Sequence, residues 1–109
     1  LTFMINNCRF NSTAYVPYIP ATGTLRLDSD KVVYTKDKYM RLQTPMVFPF
    51  YQFYGCYNKA KDKGIEYQTA SDLYEDNSGL VNYVMGNRLN FKVTFAEDID
   101  VVRLLYNHE

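Results

Sequence analysis

The side chains that most often carry out acid–base or nucleophilic chemistry are scarce in this sequence. His108 is the only histidine, and it stands second from the C-terminus, where protein chains usually fray. A Ser–His or Cys–His pair would have to use this residue, because histidine is the usual proton acceptor in such pairs. The sequence therefore disfavours a hydrolase of that type.

Carboxylates are the other candidates, and they occur in two short clusters. Asp72, Glu75 and Asp76 form the first cluster, and Glu97, Asp98 and Asp100 form the second. Two carboxylates about 5 to 9 Å apart can hydrolyse a glycosidic bond, but adjacent acids in polar segments are typical of solvated turns. The five glycines are isolated, so the sequence holds no glycine-rich phosphate loop. We predict no catalytic residue, no metal site and no cofactor, and hence a protein that is not an enzyme.

The most unusual stretch is residues 48–57, F-P-F-Y-Q-F-Y-G-C-Y, which holds six of the eighteen aromatic residues. Pro45 and Pro49 exclude a helix between them, and the segment after Pro49 is predicted to be an extended strand. Such a strand has rings on both faces, and both faces need cover. We predict a surface that contacts other protein subunits, formed by Phe48, Phe50, Tyr51, Phe53, Tyr54 and Tyr57. Exposed tyrosines also stack on sugars, so a module that binds glycans or another ligand is the alternative.

The charge distribution limits the choice of partner. Twelve basic and twelve acidic residues give a formal charge of zero, which argues against a nucleic-acid partner. Residues 1–63 nevertheless carry a net charge of +5 and residues 64–109 a net charge of −5. This gradient fits either of two arrangements. The two oppositely charged parts of the chain pack against each other, or the surface has a positive and a negative end and stacks against copies or partners. No stretch approaches the roughly 20 apolar residues of a membrane helix.

Two features bear on covalent modification. Cys8 and Cys56 are far apart in sequence, and either a disulfide or two free thiols is compatible with their positions. Asn11 begins the triplet Asn-Ser-Thr, which predicts a glycosylation acceptor.

The pattern of apolar residues predicts a β protein. Alternation over residues 1–10 indicates a strand, and turn signals recur every eight to twelve residues along the chain. Gly86-Asn87 predicts a two-residue hairpin turn between strands at 80–85 and 88–95. Residues 99–106 fit either a strand or a short helix, and β-branched residues favour the strand. We predict one β-rich domain over residues 1–109, an all-β antiparallel sandwich or jelly-roll-like barrel with at most one short helix.

The segment 11–20, N-S-T-A-Y-V-P-Y-I-P, resembles the N-S-T and V-P-Y segment of jelly-roll coat proteins of picornavirus-like viruses. The closing segment 89–105 is similar in pattern to the late strands of such coats. This resemblance implies a β-rich component of a virion or an assembly, and a virion or extracellular location. Together with the aromatic stretch, it predicts a non-catalytic structural or interaction module with protein subunits as partners.

Overall fold

The computed structural model describes residues 1–22, 25–26, 33–34 and 39–107. His108, which the sequence offered as the only histidine, lies outside these residues. In chain order the elements are α1 (Thr2–Asn11), β1 (Ala14–Pro20), β2 (Leu25–Arg26), β3 (Val33–Tyr34), β4 (Met40–Leu42), α2 (Phe50–Lys63), α3 (Ala70–Asp76), β5 (Val81–Met85) and α4 (Ala96–Asn107). No helix among the described residues is long and apolar enough to cross a membrane.

A small mixed sheet lies at the centre, with strand order β4-β1-β5. β1 pairs antiparallel with β4, where Tyr18 is opposite Leu42, and parallel with β5, where Val16 is opposite Tyr83. A parallel pair needs a long crossover, and the chain between β1 and β5 contains α2 and α3. β2 and β3 form a separate antiparallel pair.

Helices cover both faces of the central strand. Ala14 and Tyr15 point to opposite faces of β1, because successive side chains of a strand alternate. Tyr15 packs against Met4 and Cys8 of α1. Ala14 packs on the other face, in a cluster with Cys56 of α2 and Tyr74 of α3. The chain is therefore an α/β structure with helices on both sides of a sheet, and the predicted all-β sandwich or jelly-roll-like barrel is wrong.

The N-terminal segment shows why alternation misled the prediction. Residues 1–10 were predicted to be a strand, but Met4 and Cys8 are the buried residues of α1, four positions apart on one helical face. The apolar residues that made the alternating pattern, Leu1, Phe3 and Ile5, are exposed.

The aromatic stretch is also helical. α2 begins directly after Pro49, which has extended backbone angles at the N-cap. Proline is tolerated at the start of a helix, because the first N–H groups have no partner within the helix. The predicted strand at 50–54 with two aromatic faces is therefore wrong. One helical face turns Phe53, Cys56 and Ala60 inward, and the other leaves its rings in solvent.

The predicted hairpin is wrong as well, although its first strand exists. β5 pairs with β1, and residues 88–95 form no strand. The last segment is helix α4, so the favoured strand at 99–106 is wrong and the helical alternative is confirmed. The Asp98 carboxylate accepts hydrogen bonds from the N–H groups of Thr94 and Phe95, both at 2.9 Å, and so caps the start of α4. The organisation of residues 1–109 as a single domain stays a prediction, but the β-rich description does not hold.

Candidate functional site: a cationic pocket beside the sheet

A pocket of about 460 Å³ lies where β4, the segment after β5 and the start of α4 meet. The side chains that determine its character come from all three elements. They are Arg41, Gln43 and Thr44 from β4 and its end, Arg88, Asn90 and Lys92 from the segment after β5, and Phe95 and Asp98 from the start of α4. The volume is in the range of sites that hold small molecules.

Gln43 holds the segment after β5 against the end of β4. Its side-chain amide N–H group donates to the backbone carbonyls of Asn87 at 2.7 Å and Asn90 at 2.8 Å. Its amide oxygen accepts from the backbone N–H of Asn87 at 3.2 Å. Gln43 is buried, so these bonds satisfy polar groups that would otherwise lose contact with water. This irregular segment is therefore anchored although it has no partner strand.

Two further contacts fix the same segment. The Asn90 side-chain amide donates to the Thr44 carbonyl at 2.7 Å, and the Gly86 N–H donates to the Tyr18 carbonyl at 2.6 Å. A Cβ atom on Gly86 would overlap the Gln43 side chain and lie 3.2 Å from the Tyr18 carbonyl oxygen. Only glycine therefore allows the chain to pass so close to Gln43 as it leaves β5.

We expect Gln43→Ala to lower the free energy of unfolding by about 1–3 kcal/mol, because three partly buried hydrogen bonds between Gln43 and the anchored segment are lost. Urea denaturation of the variant and the unmodified chain would measure the change. Gln52→Ala is the matched control, since Gln52 is exposed on α2. Equal losses in the two variants would contradict the anchoring role of Gln43.

The pocket is electrostatically positive. Arg41, Arg88 and Lys92 are exposed around it, and none of them forms an ion pair with another residue that the structure describes. Asp98 is the acidic residue of the lining, but its carboxylate is occupied by backbone N–H groups. Those hydrogen bonds hold the pKa of Asp98 below its usual value, so it stays charged while it caps α4. Three cations with free donors around one cavity favour an anionic ligand such as a phosphate group.

Sequence reasoning missed this site because it assigned Arg88 and Lys92 to the predicted hairpin. Nothing in the local pattern connects Arg41 to Arg88 and Lys92, which lie about fifty positions later in the sequence. The available signal was the cluster of polar and basic residues after Gly86, which contains Asn87, Arg88 and Asn90.

The six predicted interaction residues separate into two groups. Phe48 and Phe53 are half-buried and pack on Tyr74, with ring centroids 5.3 and 6.1 Å from it. The other four, Phe50, Tyr51, Tyr54 and Tyr57, are exposed on α2. None of the six lines the cationic pocket. Their role in protein contacts stays a prediction.

The acidic clusters hold local structure together. The Tyr67 hydroxyl donates to Asp76, and the Tyr83 hydroxyl donates to Glu75. Burial raises the pKa of Tyr83, and the hydrogen bond to Glu75 raises it further. In the second cluster Asp98 caps α4, and Asp100 lies 3.9 Å from the exposed Arg103.

The remaining candidates have simple environments. Cys8 and Cys56 are both buried free thiols, so the question left open by the sequence is settled in favour of two thiols. The Asn11 side chain bonds to the hydroxyl groups of Thr13 and Tyr15, both at 2.6 Å, and its glycosylation stays a prediction. Among the described residues no group of three His, Cys, Asp or Glu side chains could hold a metal ion.

The geometry defines this chain as an α/β protein with a cationic pocket beside its sheet. Comparison with known proteins identifies its family. Residues 2–107 match the family model of IspD, 2-C-methyl-D-erythritol 4-phosphate cytidylyltransferase. The chain is 30% identical over 97 residues to the bifunctional enzyme IspD/IspF of Wolbachia pipientis wMel, a match that covers 86% of this chain and 23% of that protein.

Two solved structures have the same fold. The 2-C-methyl-D-erythritol 4-phosphate cytidylyltransferase of Thermus thermophilus matches with a TM-score of 0.82 at 23% identity, over 95% of this chain and 52% of that one. The 4-diphosphocytidyl-2C-methyl-D-erythritol synthase of Anaerococcus prevotii matches with a TM-score of 0.80 at 25% identity, over 98% of this chain and 52% of that one.

The chain belongs to the IspD family. It spans about a quarter of the length of the bifunctional relatives that it matches and about half of these solved structures.

Family membership corrects four predictions. The resemblance to picornavirus-like coat proteins is wrong, because both the family model and the solved structures are cytidylyltransferases. The predicted non-catalytic module, with its glycan-binding alternative, is wrong for the same reason, and so is the prediction that the protein is not an enzyme. The virion or extracellular location depended on the coat resemblance and falls with it.

Proposed function

We propose that this chain forms part of a 2-C-methyl-D-erythritol 4-phosphate cytidylyltransferase and that its cationic pocket binds the phosphate of the sugar-alcohol substrate. The observation that carries the proposal is the convergence of Arg41, Arg88 and Lys92 on one cavity. The strands and helices that form the cavity belong to the fold that this chain has in common with solved cytidylyltransferases.

The names of the relatives define the reaction. The substrate carries one phosphate, and the product named for the Anaerococcus protein carries a diphosphate between cytidine and methylerythritol. An oxygen of the substrate phosphate must therefore attack the phosphorus of an activated cytidine nucleotide. A new P–O bond forms, and the leaving group departs with the electron pair of the bond that breaks.

The pocket suits the electrostatics of this step. Two anionic phosphate groups must approach each other, and their repulsion is part of the barrier. Cations fixed around the acceptor phosphate reduce that repulsion without having to reorganise during the reaction. Gln43 contributes indirectly, because it anchors the segment that contains Arg88 and leads to Lys92. In this proposal Gln43 is a positioning residue, and the three cations contact the substrate.

The proposal also includes a protein partner for α4. This helix has no buried residue, and Ile99, Val101 and Leu104 are exposed along it. A helix of twelve residues is marginal in water unless an apolar face is packed. The solved relatives have roughly as much chain again beyond the matched part. We place that remaining part of the IspD fold against α4, where it would also close the open side of the pocket.

The test is a titration of this chain with 2-C-methyl-D-erythritol 4-phosphate, followed through backbone amide resonances. The proposal expects saturable shifts at residues 88–92 and around Arg41. The matched control ligand is 2-C-methyl-D-erythritol without its phosphate, which should leave these resonances unchanged. Equal shifts with both ligands, or shifts confined to another surface, would overturn the phosphate assignment.

A further inference from the structure

A second pocket, of about 320 Å³, lies at the opposite edge of the sheet from the cationic pocket. Its two walls are α2 and residues 77–80, and Ser12 at the end of α1 borders it. Ser12 and Leu80 come just before the paired strands β1 and β5, whereas the cationic pocket lies near the other end of these strands. The two pockets share no lining residue, so a ligand in the second pocket would leave the cationic pocket free.

Gly55 opens the second pocket on the side of α2. It lies in the interior of a helix, where glycine is one of the least favourable residues. A Cβ atom on Gly55 would have no atom within 4 Å, so no neighbouring group requires the missing side chain. Its φ angle is not positive, so the backbone does not require glycine either. What Gly55 does provide is open space on the wall of the pocket.

Tyr51 and Lys59 lie on either side of this space. Each is four residues from Gly55, so the three residues share one stripe of α2, and the Cα atoms of Tyr51 and Lys59 are about 12 Å apart. The Tyr51 ring is 83% exposed, and Lys59 forms no ion pair with a residue that the structure describes. The buried residues Cys56 and Tyr74 form the inner lining. The pocket therefore has a ring at one end, a cation at the other and an apolar floor between them.

We propose that this pocket binds a small aromatic carboxylate. The ring of the ligand packs on Tyr51, its short chain lies over Gly55, and its carboxylate meets the Lys59 ammonium. Aromatic rings pack favourably on one another and on an apolar floor, which favours an aromatic body for the ligand. Lys59 is the cation of the lining, and no acidic side chain lines the pocket in the described part of the chain. One cation matches a single carboxylate and provides too little positive charge for a nucleotide.

The shape of the pocket predicts weak binding. Its volume is at the low end of the range for sites that hold small molecules, and its cation is exposed to solvent. We expect a Kd of about 1 mM for a ligand of about eleven non-hydrogen atoms.

A titration with 3-phenylpropanoate, followed through backbone amide resonances, tests the proposal. We expect saturable shifts at residues 51–59 and 77–80, and none at residues 88–92 of the cationic pocket. The uncharged 3-phenylpropanamide should bind about three- to fivefold more weakly, which is the effect of one exposed ion pair. Propanoate has the charge without the ring and should give no saturable shift.

Gly55→Leu fills the open space on the wall and should abolish the saturable shifts. Leucine is a better helix former than glycine, so this variant should unfold at a higher urea concentration than the unmodified chain. A loss of binding in a more stable variant does not come from unfolding. Tyr57→Leu is the matched control, because Tyr57 is exposed on the same helix and does not line the pocket.

Lys59→Ala tests the charge of the ligand. It should weaken binding of 3-phenylpropanoate about three- to fivefold and leave binding of 3-phenylpropanamide unchanged. Lys61→Ala removes the same charge from the same helix outside the pocket, and should change neither ligand's affinity.

Three results would overturn the proposal. The first is the absence of saturable shifts at residues 51–59 and 77–80. The second is a Gly55→Leu variant that binds 3-phenylpropanoate as tightly as the unmodified chain, which would place the ligand on another surface. The third is equal affinity for 3-phenylpropanoate and its amide, which would show that the ligand of this pocket is not an anion.

Discussion

Replacing Lys92 with alanine is expected to weaken binding of 2-C-methyl-D-erythritol 4-phosphate by about 10- to 100-fold. A hydrogen bond to a charged group contributes about 1.5–3 kcal/mol, and each 1.4 kcal/mol corresponds to a factor of ten in affinity. Lys92 is exposed at the pocket and has no carboxylate partner among the described residues, so its ammonium is available to the ligand. Titration calorimetry on the two chains would measure the loss.

The control for Lys92 is a lysine of similar exposure outside the pocket. Lys59→Ala on α2 removes the same charge from an exposed residue that does not line the pocket, and we expect it to change the affinity by less than about twofold, because salt screens an exposed charge that does not contact the ligand. Equal losses of affinity in the two variants would mean that binding depends on the total charge of the chain and not on the pocket. The assignment of the pocket as the phosphate site would then be wrong.

Arg88→Lys distinguishes the geometry of the pocket from its charge. The guanidinium group can bind a phosphate through two parallel N–H groups, whereas an ammonium acts as a point charge. A large loss on this charge-conserving change would indicate that Arg88 binds the phosphate in a bidentate manner. Unchanged affinity would leave Arg88 as a general contributor to the positive potential.

An element could be predicted from the sequence only where its local pattern of residues agreed with its place in the tertiary structure. Strand β1, Ala14–Pro20, is the central strand of its sheet although it contains Pro17 and Pro20, which are typical of edge strands. Pro17 has no N–H group to donate, but its carbonyl still accepts a hydrogen bond from the Gln43 backbone N–H at 2.8 Å, so it takes part in the pairing of the strands. The contacts that make β1 a central strand come from β4 and β5, which are distant from β1 in the sequence.

Helices α1 and α2 were predicted to be strands, and the helical alternative for α4 was not the favoured one, because the local patterns of these segments are weak. Much of the apolar surface of α1 and α4 faces solvent in this chain, so neither shows the clean helical stripe that a covered amphipathic helix has. In α2 the exposed face has four rings and the inward face has only Phe53, which hides the helical period. The candidate site depended on the same long-range pairing, since Arg41 meets Arg88 and Lys92 only when Gln43 joins β4 to the segment after β5.

Tyr74→Ala is expected to lower the free energy of unfolding by about 3–5 kcal/mol, the usual cost of deleting a large buried aromatic side chain. Tyr74 is only 2% exposed and packs between the sheet and α2, where it contacts the rings of Phe48 and Phe53. This loss is a large fraction of the roughly 5–15 kcal/mol that stabilises a typical domain. Urea denaturation would measure it. Tyr51→Ala is the control, because Tyr51 is 83% exposed and should change stability by less than about 0.5 kcal/mol.

Gly79 makes the packing around Tyr74 testable by a double-mutant cycle. A Cβ atom on Gly79 would overlap the Tyr74 ring, and the Gly79 N–H donates to the Tyr74 carbonyl at 2.7 Å. Gly79→Ala alone should therefore destabilise the chain, since an overpacked core costs about 1–3 kcal/mol. In the Tyr74→Ala background the added methyl group enters the space that the ring has left, so its cost should disappear or become a gain. Additive losses in the double variant would show that the cost of Gly79→Ala does not come from contact with the Tyr74 ring.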